Sequence, residues 1–118
     1  MLGVCPQHDT LYEDLTVQEH LELYASFKGL EGSDLDSEVR KLIADVNLQE
    51  KREEYSRNLS GGQKRRLSVA ISFAGRSKVI ILDEPTSGMD TSARRYIWEL
   101  LKTYKNDRII ILTTHFMD

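Results

Sequence analysis

The chain has 118 residues, of which 40% are hydrophobic and 30% are charged, and its formal net charge is -3. These values predict one soluble globular domain or a piece of one, and they argue against a protein that binds nucleic acid regardless of sequence, because such proteins carry a clear basic excess. The single Cys5 excludes an internal disulfide, and no apolar run approaches the roughly 18 residues of a membrane span, so we expect membrane contact only through a partner or through chain outside this sequence.

A short strand and an amphipathic helix come first. Residues 1–5 form an apolar run, which predicts a strand. Thr16 and Glu19 have the spacing of a capping box that opens a helix, and Gly29 marks its end. His20 on this helix lacks partner ligands at zinc spacing and is interpreted as a surface or packing residue. The residues predicted to line the buried side of the helix are Val17, Leu21, Tyr24 and Ala25.

A second helix is predicted after a loop of glycine, serine and acidic residues. Ser33 or Asp34 is its expected N-terminal cap. Apolar residues then recur at helical spacing and predict a buried stripe. The members of this stripe are Leu35, Val39, Leu42, Ile43 and Val46. The strongly charged residues 51–58 are expected to form a loop or a frayed turn.

Ser60 and Gln63 predict the start of a third helix, which Gly75 ends. Its predicted inner face comprises Leu67, Ala70, Ile71 and Ala74. At its start, the small side chains of Ser60, Gly61 and Gly62 leave main-chain N–H groups accessible at the positive end of the helix dipole. This arrangement suits an anion. The alternative to an anion site is an ordinary helix cap in which the glycines only allow the turn to form, because Ser-Gly-Gly is common in loops.

Two uninterrupted apolar runs predict two buried parallel strands. Residues 79–82 and 109–112 show no alternation of polar and apolar side chains, which is typical of strands covered on both faces. Thr91 is the predicted cap of the helix between them, whose buried residues are expected to be Ile97, Leu100, Leu101 and Tyr104. Two parallel strands joined by one helix make a right-handed βαβ unit, so an α/β fold is expected.

Ionisable groups are predicted at one edge of this sheet. Asp83 and Glu84 follow the first buried strand directly, and His115 lies just after the second. Open α/β sheets bind their ligands at the carboxyl ends of the strands. The two carboxylates therefore indicate metal and water chemistry of the kind found in nucleotide hydrolases. Two solvated loop acids are the alternative for this pair taken alone.

Five motifs in order resemble the nucleotide-binding domain of ATP-binding cassette proteins. They are a Q-loop at Gln7, a signature motif (Leu-Ser-Gly-Gly-Gln) at residues 59–63, a Walker B motif (Ile-Leu-Asp-Glu-Pro) at 81–85, a D-loop (Ser-Gly-Met-Asp) at 87–90 and an H-loop at His115. The resemblance covers nearly the whole chain. The sequences Cys-Pro-Gln-His-Asp, Ser-Gly-Met-Asp and Thr-Thr-His-Phe-Met-Asp look closest to subfamily A, whose members are mostly lipid exporters or flippases.

The resemblance implies an incomplete P-loop NTPase-like domain. It divides the chain into a Q-loop region at residues 1–9, an α-helical signature subdomain at 10–77, and part of the parallel-sheet core, with the Walker B motif, D-loop and H-loop, at 78–118. The Gly-x-x-x-x-Gly-Lys-Ser/Thr loop that holds nucleotide phosphates does not occur in the sequence. We therefore expect an internal fragment that, alone, binds ATP weakly or not at all and is inactive as an ATPase.

The resemblance also implies a role for each motif residue in ATP hydrolysis. Asp83 would hold Mg²⁺, and Gln7 would approach the metal and the attacking water. Glu84 would be the general base, and His115 would contact the γ-phosphate and position the water. Asp90 would lie across the interface between two such domains.

A second nucleotide-binding domain is the first implied partner. Ser60, Gly61, Gly62 and Gln63 would bind the γ-phosphate of an ATP molecule held by the opposite domain, so that the two domains pack head to tail. Transmembrane domains are the second implied partner. Hydrolysis would then power transport, of lipids for a member of subfamily A, with this segment on the cytoplasmic face of a membrane.

Other members of the family provide alternatives. Residues 64–66 (Lys-Arg-Arg) suggest a nucleic-acid patch, although three adjacent cations on a helix more often form a solvated face. Chromosome-maintenance cassettes are excluded, because the 51 residues from 8 to 58 leave no room for long coiled-coil arms between Gln7 and the signature motif. A cassette acting in translation stays open. A degenerate half-site without hydrolysis is the other alternative, and the presence of both Glu84 and His115 argues against it.

Overall fold

Three strands and four α-helices make up the part of the chain that the computed structural model describes, which is residues 2–5, 11–75, 78–83, 91–105 and 108–113. In chain order the elements are β1 (Leu2–Cys5), α1 (Val17–Phe27), α2 (Gly32–Asp45), two 3₁₀ turns (Gln49–Lys51 and Ser56–Asn58), α3 (Gly61–Phe73), β2 (Val79–Asp83), α4 (Thr91–Tyr104) and β3 (Ile109–Thr113). None of the helices in these ranges has the length and apolar character needed to cross a bilayer.

The three strands form one parallel sheet in the order β1-β2-β3. In the central strand β2, Val79 is paired with Leu2 on one side and with Ile109 on the other, and the register continues without a break along both ladders. Helix α4 connects β2 to β3. The predicted α/β class with a parallel sheet is therefore confirmed, while the division of the chain into 1–9, 10–77 and 78–118 stays a prediction.

Helices cover only one face of this sheet in the described part of the chain. Ile80 and Leu82 of β2 are fully buried, and α3 packs against β1 and β2. On the opposite face, Ile109 and Ile111 of β3 are 62% and 44% exposed. The prediction that both apolar runs are covered on both faces is therefore wrong, because Val79 and Ile81 of β2 are only half-buried on this face. The exposure is greater for β3, which also lies at an edge of the described sheet.

Helix α3 approaches β1 so closely that only a glycine fits at residue 3. A Cβ atom added to Gly3 would lie 1.9 Å from the main-chain oxygen of Ser72, far inside van der Waals contact. The strand and the helix therefore meet main chain to main chain, a close approach of the kind that glycine permits. This contact fixes how far α3 stands from the sheet.

Helix α1 has the predicted capping box. The Thr16 hydroxyl oxygen accepts a hydrogen bond from the Glu19 N–H at 3.1 Å, and the Glu19 carboxylate accepts one from the Thr16 N–H at 2.8 Å. Gly29 follows the helix with a φ of 99°, in the left-handed region. Three of the four residues predicted to face the core are fully buried and Tyr24 is half-buried, so the predicted orientation of α1 is confirmed.

Helix α2 begins earlier than its predicted caps. Glu31 takes the N-cap position without a side-chain hydrogen bond, so the prediction of Ser33 or Asp34 as the cap is wrong. The physical reason is that the Glu31 carbonyl already accepts a hydrogen bond from the Leu35 N–H at 3.3 Å, which closes the first helical turn. The predicted stripe on α2 is buried except at Leu35, which is half-buried.

Asp45 at the end of α2 joins this helix to α4. Its main-chain oxygen accepts a hydrogen bond from the Tyr96 hydroxyl at 2.7 Å, and its carboxylate accepts one from the Tyr104 hydroxyl. Burial raises the pKa of Tyr104, and the Asp45 carboxylate raises it further, so this phenol stays protonated and remains a donor. Lys41 lies over the Tyr104 ring at 4.4 Å. The predicted buried residues of α4 are all buried.

The charged segment 51–58 is held along the start of α1. The Glu54 carbonyl accepts a hydrogen bond from the Val17 N–H at 3.1 Å, and the Ser56 N–H donates one to the Leu15 carbonyl at 3.0 Å. Of the two expected alternatives, the loop is confirmed, since residues 51–58 form turns and short 3₁₀ segments, and the frayed turn is wrong. Main-chain hydrogen bonds to a neighbouring segment, which a sequence does not display, order these residues.

His20 is buried and holds the loop before α1 through both ring nitrogens. Nε2 accepts a hydrogen bond from the Tyr12 N–H at 2.9 Å, so Nδ1 carries the proton that it donates to the Thr16 carbonyl at 2.8 Å. Burial lowers the pKa of His20 by more than the Thr16 carbonyl and the charge of Glu19 raise it. The interpretation of His20 as a packing residue is confirmed.

Acidification is expected to destabilise the chain through His20. Because its pKa in the folded state lies below the ordinary value of 6.5, the unfolded chain binds more protons as the pH falls. The free energy of unfolding should not depend on this group above pH 6.5. Below that pH it should fall by up to about 1.4 kcal/mol per pH unit, until the folded-state pKa is reached. Urea titrations across this pH range measure the slope.

The His20→Asn variant is the control, because it removes the titrating group and leaves the carboxylates unchanged. Its unfolding free energy should show a shallower dependence on pH in the acidic range than that of the original chain. Identical slopes for the two proteins would contradict the expected linkage.

Candidate functional site

The first turn of α3 has the predicted capping box. The Ser60 hydroxyl oxygen accepts a hydrogen bond from the Gln63 N–H at 3.1 Å, and the Gln63 side-chain oxygen accepts one from the Ser60 N–H at 2.9 Å. Ser60 itself has an extended backbone, as an N-cap residue should. The predicted end of the helix is also confirmed, since Gly75 follows α3 with a φ of 79°.

The same turn leaves an open surface in front of two main-chain amides. Gly61 and Gly62 are exposed, and a Cβ atom added to either residue would meet nothing within 4 Å. The capping box occupies the N–H groups of Ser60 and Gln63, so the glycine amides are the ones left at the start of the helix. No acidic residue lies in this first turn, so the positive end of the helix dipole is not neutralised there. An anionic group can approach this turn closely.

Asp83 is the last residue of the central strand β2 and lies at the carboxyl end of the sheet. It is half-buried and is paired in register with Thr113, the last residue of β3. The tips of two neighbouring parallel strands therefore meet here, as the sequence predicts. Glu84 directly follows Asp83 in the chain.

Four predicted site residues lie outside the described ranges. They are Gln7, Glu84, Asp90 and His115. Their roles stay predictions. The prediction of Thr91 as the cap of α4 is wrong, because the structure has Thr91 as the first residue inside this helix rather than in front of it.

The described residues fit a magnesium ion that is shared with a nucleotide. Among them, no group of three or more histidine, cysteine, aspartate or glutamate side chains forms a complete metal site. Mg²⁺ is usually held by one or two carboxylates together with substrate phosphates and water. A single carboxylate such as that of Asp83, at the carboxyl end of a parallel strand, matches that pattern, whereas a structural zinc site would need more ligands.

Arg65 lies near the predicted site, and its burial was not expected from the sequence. It is 4% exposed, so the expectation that residues 64–66 form a solvated face is wrong at this position. The available signal was its helical spacing from Ser68, Val69 and Ser72, which places it on a face of small and apolar residues. All three of these neighbours are buried as well.

A family model and individual relatives both place this chain among ABC transporter proteins. A family model described as "ABC transporter" matches residues 1–87. The chain itself is 54% identical to the human phospholipid-transporting ATPase ABCA3 over 117 residues, which is 99% of its length. Over the same length it is 51% identical to the rat ATP-binding cassette sub-family A member 7. It is 50% identical over the same length to the mouse retinal-specific phospholipid-transporting ATPase ABCA4. The chain spans about 5–7% of the length of these curated relatives.

Substitutions at Ser60 and Gly62 should change the free energy of unfolding differently, because Ser60 caps the helix and Gly62 lies on the open surface. Ser60→Ala removes the acceptor for the Gln63 N–H and should lower the free energy of unfolding by about 1 kcal/mol. Gly62→Ala should leave that free energy unchanged or raise it by up to about 1 kcal/mol, because the added methyl group meets no neighbour and alanine favours helix. Urea titrations of both variants measure these changes. Equal losses in the two variants would show that Gly62 is packed rather than open.

Proposed function

The chain belongs to the ABC transporter family, and we propose that it is part of the nucleotide-binding domain of a subfamily A transporter in which ATP hydrolysis powers the movement of phospholipids. One observation carries the proposal. The chain has an exposed, capped Ser-Gly-Gly turn at the start of α3 and a carboxylate at the tip of its central parallel strand. The turn suits the phosphate of a nucleotide held by a second domain, and the carboxylate suits the magnesium ion of a nucleotide held by the same domain.

Each motif residue has a proposed role in ATP hydrolysis. Asp83 and Gln7 would hold Mg²⁺, which when bound supplies positive charge to the phosphate oxygens. Glu84 would take a proton from the attacking water, and His115 would hold that water and the γ-phosphate in place. Asp90 would contact a second domain. The position of Asp83 at the carboxyl end of β2 supports this assignment, because ligands of α/β sheets bind at that edge.

A second nucleotide-binding domain would complete the site. Ser60, Gly61, Gly62 and Gln63 present an open surface that can receive the γ-phosphate of ATP held by that domain. Two such domains packed head to tail about a two-fold axis would form two sites. Transmembrane domains of the same transporter would be the other partner, with this segment on the cytoplasmic face of the membrane.

The lipid substrate is proposed from the relatives. Those named above as phospholipid-transporting ATPases are 50–54% identical to this chain. A cassette acting in translation is the alternative, and a second cassette with a basic linker in the same polypeptide would favour it. A degenerate half-site is the other alternative, and the hydrolysis experiment below distinguishes it from an active one.

The 118-residue chain alone should bind Mg-ATP only weakly. Its sequence has no Gly-x-x-x-x-Gly-Lys-Ser/Thr loop, so the main cradle for the nucleotide phosphates is missing. Isothermal titration calorimetry with Mg-ATP should show no saturation below roughly millimolar concentration. Micromolar affinity of the isolated chain would contradict the proposal that it is one piece of a larger site.

Glu84→Gln in the full-length polypeptide that carries this chain should stall hydrolysis while nucleotide stays bound. An amide cannot accept the proton from the attacking water, and general-base catalysis contributes roughly 10²–10⁴-fold. Steady-state phosphate release should therefore fall by at least about 100-fold, and photolabelled ATP should remain trapped.

Glu53→Gln is the matched control, because Glu53 is an exposed acid in the segment that is held along the start of α1. It should leave both phosphate release and trapping unchanged. Unchanged hydrolysis in Glu84→Gln would refute the assigned chemistry, and the absence of hydrolysis in the original polypeptide would favour the degenerate half-site.

A further inference from the structure

Two adjacent arginines follow the exposed turn of α3 and contact different parts of the structure. Arg65 donates a hydrogen bond from Nη2 to the main-chain oxygen of Asp83 at 3.1 Å. Arg66 donates one from Nη1 to the main-chain oxygen of Val46, just after α2, at 3.1 Å. The Arg66 guanidinium also lies over the Tyr96 ring of α4, 5.5 Å from its centroid. One arginine therefore reaches the tip of β2, while its neighbour reaches the helices.

The contact between Arg65 and Asp83 differs from an ordinary surface interaction. Arg65 is 4% exposed, and a charge removed from water requires hydrogen-bonded partners. A hydrogen bond from a guanidinium is stronger than one between neutral groups, and a buried environment strengthens it further. The carbonyl of Asp83 is therefore held firmly with respect to the axis of α3.

We propose that Arg65 is a positioning residue that fixes the main chain at Asp83, and so the direction of its carboxylate, relative to the first turn of α3. This inference rests on the proposed function, in which Asp83 holds Mg²⁺. Arg65 lies only two residues beyond Gln63, the last residue of the exposed turn. One side chain therefore connects the turn that contacts a phosphate with the carboxylate that holds the metal.

The connection has a specific consequence in a head-to-tail pair of domains. The first turn of α3 would face the nucleotide held by the second domain, whereas Asp83 would serve the nucleotide held by its own domain. Arg65 then links the two nucleotide sites inside one domain. A displacement of α3 when its turn binds a phosphate would be passed to the metal ligand of the other site through the hydrogen bond from Arg65 to the Asp83 carbonyl.

Arg65→Met and Arg66→Met in the full-length polypeptide are the matched test. Each variant loses a hydrogen bond from a guanidinium of α3 to a main-chain carbonyl. Arg65→Met loses the bond to Asp83, whereas Arg66→Met loses the bond to Val46. Arg65→Met should raise the Mg²⁺ concentration for half-maximal ATP hydrolysis by about threefold or more and lower kcat by about tenfold, since small misplacements of catalytic groups are costly. Arg66→Met should lower the melting temperature without raising that Mg²⁺ concentration.

A second measurement does not depend on hydrolysis. Hydrogen–deuterium exchange without nucleotide, followed by mass spectrometry of a peptide covering residues 79–83, should be faster in Arg65→Met than in the original protein and unchanged in Arg66→Met. Arg65→Lys retains a charged donor with a different reach. Its exchange rate and its Mg²⁺ requirement should lie between those of Arg65→Met and the original protein, a partial rescue that loss of packing alone would not give.

The outcomes distinguish this inference from the proposed function. An unchanged exchange rate and Mg²⁺ requirement in Arg65→Met, or the same shifts in Arg66→Met, would overturn the positioning role. If Arg65→Met does not fold, Arg65→Lys decides, because values equal to those of the original protein would refute the role and raised values would support it. A polypeptide that does not hydrolyse ATP at all would refute the proposed function, and the exchange comparison would still decide whether Arg65 holds the strand tip.

Discussion

The burial of α3 is the constraint on which the rest of the structure depends. This helix packs against β1, β2, α1 and α2, and its residues Leu67, Val69, Ala70 and Phe73 have no solvent exposure. Its exposed residues, Gly61 and Gly62, lie in its first turn, while Arg66 and Ile71 further along are half-buried. The residues proposed to contact a phosphate are therefore the exposed end of the central core helix, and their position is set by the packing of the whole domain.

The parts of the fold that depend on local chemistry were predictable from the sequence. A capping box involves two residues three positions apart, so both Thr16 with Glu19 and Ser60 with Gln63 could be identified without knowing what packs around them. The strand ending at Asp83 was predictable for the same reason. Its apolar run stops at a charged residue, and the structure ends β2 at Asp83.

The parts that depend on distant neighbours were not predictable. The exposure of Ile111 follows from the position of β3 at an edge of the described sheet, and the ordering of residues 51–58 follows from main-chain hydrogen bonds to the start of α1. Arg65 is the clearest example, because its helical spacing indicated a buried side chain but could not show that this side chain contacts the strand tip. A charge can be buried when a carbonyl lies within reach, and a sequence does not show where that carbonyl is.

The close approach of Gly3 to Ser72 also limits how this chain can vary. The atom that a new side chain at residue 3 would strike is a main-chain oxygen, so no replacement of Ser72 could make room for it. Every missense change at residue 3 adds at least a methyl group there. Such variants would have to shift a strand or a helix of the core, and second-site suppressors at residue 72 should not restore them.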